Sequence, residues 1–271
     1  MTSTEILART RDFKAAHNVT VSGEGATTVV LANGFGTDLT IWSRVLPWLE
    51  RRYRVVRFNW LIDPSHYDTA RYGSLHGFAD DLLALLLAIN APPCLYIGHS
   101  MAAMAGMLAA KRAPERFKGM VMLAPSPCFV NRGDYVGGFE REQIDALLHD
   151  LGSDYLNWVT AFSPLAVAAP PDRPEVAEFT RSLLAMRPDV AFSMALTVFN
   201  MDLRDQLDGF DVPTTIVQTS DDIAVPMAVA QYLHARWPNS RLEEIEASGH
   251  FPHLTAPAQL IAILGRSLPL S

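Results

Sequence analysis

Three side chains have the types and the chain order to carry out acyl transfer: Ser100, Asp222 and His250. Ser100 stands in Leu95-Tyr96-Ile97-Gly98-His99-Ser100-Met101-Ala102-Ala103, an apolar run leading into Gly-His-Ser with small residues after it. This pattern predicts a strand, a sharp turn and a helix. A serine hydroxyl is a weak nucleophile and must stand clear of the backbone to meet both a base and a carbonyl carbon. The turn strains the serine, so the residues two before and two after must be small; here they are Gly98 and Ala102. His250 would take the hydroxyl proton and return it to the leaving group, and Asp222 would fix the imidazole tautomer. Two backbone amides must meet the developing oxyanion. Met101, after the nucleophile, supplies one. Phe35, in the turn Asn33-Gly34-Phe35-Gly36, is the candidate for the other.

Each assignment has a competitor. Asp221 adjoins Asp222, and Asp222 is favoured because it opens the string Asp-x-x-Val-Pro. His253 competes with His250, but Gly249 suits a tight loop at a strand end, and His253 lies further towards the last helix. His99 reads as a packed core histidine or as a pocket wall. It is no base, since adjacent residues point apart. His17, His66, His76, His149 and His234 are scattered, and no pair has metal-ligand spacing with a third partner. Neither a metal nor a cofactor is expected.

These loops need a scaffold. Apolar, β-branched runs predict strands at 27–32, 53–58, 94–98, 118–124, 214–218 and 242–245, with 17–22 as an edge strand. Helical spacing runs through 41–49, 75–89, 101–112, 227–236 and 257–264. Strands alternating with helices predict a parallel sheet covered on both faces. Each chemical residue then follows a strand and lands at one edge of the sheet. About ninety residues separate the strands at 118–124 and 214–218, far more than a crossover needs. Helices at 140–151, 154–162, 174–185 and 188–198 fill the surplus, punctuated by Pro164, Pro170-Pro171 and Pro188.

Composition bounds the function. A 271-residue chain, 49% hydrophobic and 19% charged, is globular, and its net charge of −7 disfavours nucleic acid. Cys94 and Cys128 read as reduced core residues of a cytoplasmic protein. No segment has the length of a membrane span, and no apolar stripe is left over for a dimer, so a monomer is expected.

Gly34-Phe35-Gly36-Thr37-Asp38, Gly98-His99-Ser100, Gly133-Asp134-Tyr135, Thr197-Val198-Phe199-Asn200, Asp222-Ile223-Ala224-Val225-Pro226 and Gly249-His250…Pro252-His253-Leu254 together resemble the α/β-hydrolase subfamily of the bacterial stress regulator RsbQ and the plant strigolactone and karrikin receptors. The resemblance covers about residues 15–265. It implies a mostly parallel, doubly wound α/β sheet with a four-helix lid inserted between strands six and seven. The core would be 1–130 and 205–271, and the lid 131–204. It implies Ser100, Asp222 and His250 as triad and Phe35 and Met101 as oxyanion donors. His99, Phe129, Phe139, Trp158, Phe162 and Phe199 would line a deep apolar pocket. The function implied is a serine hydrolase of a small apolar ester or lactone, butenolides included. The alternative is a ligand sensor that signals through a protein partner, with slow or vestigial hydrolysis. A cofactor-free dioxygenase or perhydrolase is a third reading, against which the lid match argues. Three departures stand out: Asn33 and Asn59 replace the family's usual His and Asp, and Trp60-Leu61-Ile62-Asp63-Pro64-Ser65 replaces a glycine-containing loop.

Overall fold

The computed structural model describes residues 13–60 and 67–269. The first twelve residues, and Leu61 to His66 with most of the replaced loop, lie outside the described residues. Seven strands form one sheet: β1 (Thr20–Ser22), β2 (Thr28–Ala32), β3 (Arg54–Arg57), β4 (Cys94–His99), β5 (Phe117–Leu123), β6 (Thr214–Asp221) and β7 (Ser240–Ser248). Their spatial order is β1-β3-β2-β4-β5-β6-β7. β1 pairs antiparallel with β3, and all other pairs are parallel. β2 and β4 are buried along their whole length, which is why they read as unbroken apolar runs. β7 is the far edge strand and exposes Arg241, Glu244, Glu246 and Ser248. Only its apolar middle is visible in the sequence.

The helices outside the long insertion are α1 (Leu46–Glu50), α2 (Leu75–Ala88) and α3 (Met101–Arg112) before it. The expected helix at 41–49 is broken: a 3-10 turn, Leu39–Trp42, precedes α1. Pro47 accounts for the break, because it sits in the first turn of α1, where its missing N–H is tolerated but cannot bond back to Ser43 O to continue a helix from the preceding turn. α3 lies close on β4. Its Gly106 has no room for a side chain, since a Cβ there would sit 2.3 Å from the Tyr96 ring.

Between β5 and β6 run α4 (Arg141–Ser153), α5 (Tyr155–Val167), α6 (Pro174–Leu184) and α7 (Pro188–Asn200). The insertion therefore leaves the fifth strand and returns to the sixth, one position earlier than strands six and seven, because five strands precede it among the described residues. Pro174 and Pro188 open α6 and α7 at positions where a missing N–H costs nothing. Pro164 does not end its helix as expected. α5 continues through it to Val167, held by the buried Ser163, Ala166 and Val167, and stops at Ala168 in the left-handed region. α5 packs on α6, and α4 on α7. The neck of the insertion is closed by a β-bridge between Cys128 and Asp202 and by the Leu203 amide donating to Pro127 O at 2.8 Å.

After β6 come α8 (Met227–Arg236), α9 (Pro252–Thr255) and α10 (Pro257–Ser267). Among the described residues no single helix is long and apolar enough to cross a membrane.

Candidate active site

Ser100 occupies the turn between β4 and α3 with φ 54° and ψ −122°. A non-glycine residue in this region stores strain of roughly 1–3 kcal/mol. Neighbouring structure maintains it: the Ser100 amide donates to Leu123 O at 2.8 Å. The demand for small neighbours is literal at Gly98, where a Cβ would lie 2.9 Å from the Ala103 backbone.

The three chemical groups come from three strand ends and meet. His250 Nε2 lies 2.9 Å from Ser100 Oγ, and His250 Nδ1 lies 2.8 Å from Asp222 Oδ2. Asp222 Oδ1 accepts from the amides of Ala224 (2.8 Å) and Val225 (3.2 Å). Gln218 Nε2 donates to Oδ2 at 3.1 Å. Burial opposes the Asp222 charge, but His250 and the two amides outweigh it and hold the carboxyl below the ordinary carboxylate range. Asp221 points elsewhere; it is exposed, and its backbone carbonyl accepts from the Gly249 amide at 2.7 Å. The His250 loop is fixed from both sides. Its amide donates to Ala166 O of α5 at 2.8 Å, and its carbonyl accepts from His99 Nε2 at 2.8 Å.

His253 takes no part in this relay. It is wholly buried, stacked on Trp42 at 4.6 Å, with its ring 4.7 Å from that of His99. Burial, then the neighbouring imidazoles, pushes His99 well below the ordinary histidine range, and burial, with His250 and Arg44, lowers His253 to about 3. Both rings are neutral at physiological pH.

Neither the Phe35 nor the Met101 amide donates to a described residue. The Phe35 turn lies against Ser100: a Cβ on Gly34 would sit 2.6 Å from His99 Nδ1 and 3.1 Å from Ser100 Cβ. Two unpaired amides beside a serine hydroxyl are what a developing oxyanion requires.

Beside Ser100 is a small apolar cavity of about 30 Å³, space for roughly one or two water molecules. Phe35, His99, Phe129, Phe162 and Phe199 line it, together with Ala166, Phe179, Val198, Ala224, His250 and Phe251. Two expected wall residues do not. Trp158 precedes Phe162 by one turn of α5 and stacks behind it at 4.5 Å. Phe139 is tied by its amide to Phe129 O at 3.0 Å, leaving Phe129 as the ring at the wall. The pocket is thus smaller than the deep one expected. Phe251 was discoverable from its place beside His250, and Phe179 was one of several lid aromatics whose facing helical spacing does not reveal. A wider groove of about 590 Å³ opens among the opposite ends of the strands, near Leu95, Lys118, Thr214 and Ser240. Its Ser240 Oγ donates to Trp237 O at 2.7 Å and lies 2.8 Å from Nδ1 of the exposed His234. No three His, Cys, Asp or Glu side chains among the described residues form a group able to hold a metal ion.

A mostly parallel sheet with Ser100, Asp222 and His250 just past the ends of β4, β6 and β7 is the arrangement of an α/β hydrolase. Residues 27–257 match the model of the α/β hydrolase fold family, and the chain belongs to that family. It is 42% identical over 261 residues to the Karrikin insensitive 2 receptor IA of Petunia hybrida, covering 94% of this chain and 95% of that one. It is 41% identical over 260 residues to the Strigolactone esterase D14 of Arabidopsis thaliana, covering 94% and 97%. Among solved structures, a hydrolase from Oleispira antarctica superposes with a TM-score of 0.90 at 32% identity, covering 95% of this chain and 96% of that one.

Proposed function

We propose that this protein is a serine hydrolase that cleaves a small apolar ester or lactone, with Ser100 as nucleophile, His250 as base and acid, and Asp222 as the orienting carboxylate. The observation that carries the reading is the unbroken relay Ser100–His250–Asp222, with steps of 2.9 and 2.8 Å, beside an apolar cavity. Ser100 Oγ attacks the carbonyl carbon as its proton passes to His250 Nε2. The carbonyl oxygen gains the charge and takes the amides of Phe35 and Met101. Collapse breaks the bond to the leaving oxygen, which receives the proton from His250. In a lactone that oxygen stays tethered as the ring opens. Water then attacks the acyl-serine, giving its proton to His250, and Ser100 is regenerated.

Residues 131–204 act as the lid over a core of 1–130 and 205–271, which the Cys128–Asp202 bridge at the neck supports. A five-membered lactone ring exceeds a cavity of about 30 Å³, so the phenylalanines or the lid must move to admit one. The two cysteines are buried and unpaired, which accords with a reducing, cytoplasmic setting for a monomer.

The second reading is a ligand sensor that signals through a protein partner. The receptor names of relatives and the lid-lined cavity favour it. Incubation with a panel of 4-nitrophenyl esters and butenolide lactones separates the two. A hydrolase shows sustained turnover, whereas a sensor shows one fast turnover and a stall, with a ligand-induced shift in Tm. Neither hydrolysis nor a Tm shift with any member would overturn both.

A further inference from the structure

The proposed mechanism needs the Phe35 amide in one place, yet two of the three residues in Gly34-Phe35-Gly36 are glycines, and Gly36 has φ +74°. Such a turn has much conformational freedom to lose. The residues that restrain it form one connected set. Across the turn, Asn33 Nδ2 donates to Thr37 O at 2.5 Å. Thr37 Oγ1 returns a bond to Gly34 O at 2.8 Å. From the end of β3, Trp60 Nε1 donates to Asn33 O at 2.7 Å, and the Leu39 amide donates to Asn59 Oδ1 at 2.7 Å. Trp60 is itself fixed, edge-on to Phe58 at 4.9 Å and to Phe78 at 5.4 Å. The loop is thus tied at its start, across its middle and just past its end. Asn33 and Trp60 are almost wholly buried, and none of Asn33, Asn59 and Trp60 lines the cavity.

We propose that Asn33, Asn59 and Trp60 are positioning residues: one hydrogen-bonded brace that holds the Phe35 amide where the oxyanion develops. An oxyanion donor acts through preorganisation, so its benefit appears when charge develops and not when substrate binds. Loosening the brace therefore lowers kcat and leaves KM largely unchanged. The proposal rests on the acyl-transfer reading of the site.

The test uses the full chain and its Trp60→Phe, Asn33→Leu, Asn59→Leu and Asn59→Asp variants. Trp60→Phe keeps a ring against Phe58 and Phe78 and removes only the donor. Active sites are titrated with a fluorophosphonate, so that misfolded protein does not count. The readouts are kcat and KM for 4-nitrophenyl acetate, and Ki for a trifluoromethyl ketone, whose addition to Ser100 places a real oxyanion at the Phe35 amide. The expected result is a fall in kcat of about tenfold or more per titrated site for Trp60→Phe and Asn33→Leu. Ki rises by a similar factor and KM stays within about twofold. Asn59→Asp, which keeps the acceptor, recovers most of what Asn59→Leu loses. Values of kcat and Ki within about twofold of the parent for both Trp60→Phe and Asn33→Leu would overturn the brace while leaving the reading of Ser100 intact. A parent that turns over no ester but binds the ketone sinks the hydrolase reading, and the brace is then judged on Ki alone. A parent that does neither overturns both.

Discussion

Replacing Asp222 by Asn should cost far more than its single-atom change implies. The Asp222 side chain is fully buried, and all of its partners are assigned. Oδ1 accepts from the Ala224 and Val225 amides, while Oδ2 faces His250 Nδ1 and Gln218 Nε2. An asparagine keeps its oxygen on the two amides, because an NH2 group there would meet two donors. Its NH2 must therefore face His250, donate to Nδ1 and lock the proton on Nε2. That tautomer cannot receive the Ser100 proton. Loss of the correct tautomer in a Ser-His-Asp relay costs about 10⁴ in rate, or about 5.5 kcal/mol of activation free energy. Asp221→Asn, at an exposed position outside the relay, should stay within about twofold of the parent. The assay is kcat/KM for 4-nitrophenyl acetate, with circular dichroism as the fold control. Retention of more than about a tenth of the rate by a folded Asp222→Asn protein, or a larger loss from Asp221→Asn, would refute the reasoning.

Stability should fall as the solution is acidified, through the buried histidines His17, His99 and His253, whose burial lowers their pKa values. Their folded pKa values lie below the ordinary histidine value, His253 at about 3. The unfolded chain therefore takes up protons first, and stability present above about pH 6.5 is lost as pH falls towards the folded values, at about 1.4 kcal/mol per unit per histidine. Guanidinium unfolding at pH 7, 6 and 5 measures it. His253→Phe, which can still stack on Trp42, should lessen the slope by about one proton, and an unchanged slope would count against this account. Gly34→Ala should push the Phe35 turn off the nucleophile, since its Cβ would crowd His99 and Ser100. A fall in kcat of about a hundredfold is expected, together with a lowered Tm from the crowding, and parent-like kcat would contradict it.

What could be read in the sequence followed from one-dimensional physics. Apolar runs marked the strands, and residues after a parallel strand share an edge of the sheet, so Ser100, Asp222 and His250 could be placed together before any coordinates. The exclusion of His253 needed three dimensions: only the structure shows its ring stacked behind the relay on Trp42. The pocket wall was less legible. Trp158, Phe162 and Ala166 share one face of α5, but the cavity meets only the last two. Helical spacing gives the face of a helix and not how far along it a neighbour reaches. The partners of Asn33, Asn59 and Trp60 were hidden for a related reason. The Asn59 and Trp60 bonds cross from the end of β3 to the loop after β2, twenty residues or more along the chain, while the Asn33 side chain bonds within that loop; no periodicity encodes them.

The central claim is that Ser100 is the attacking group. Ser100→Ala removes only the hydroxyl, at a residue whose backbone is held by the Leu123 carbonyl. The decisive measurement is hydrolysis of 4-nitrophenyl acetate by parent and Ser100→Ala proteins, with Tm recorded on the same samples. The expected result is loss of turnover in the variant with Tm within a few degrees of the parent. Full activity in a folded Ser100→Ala protein would contradict it.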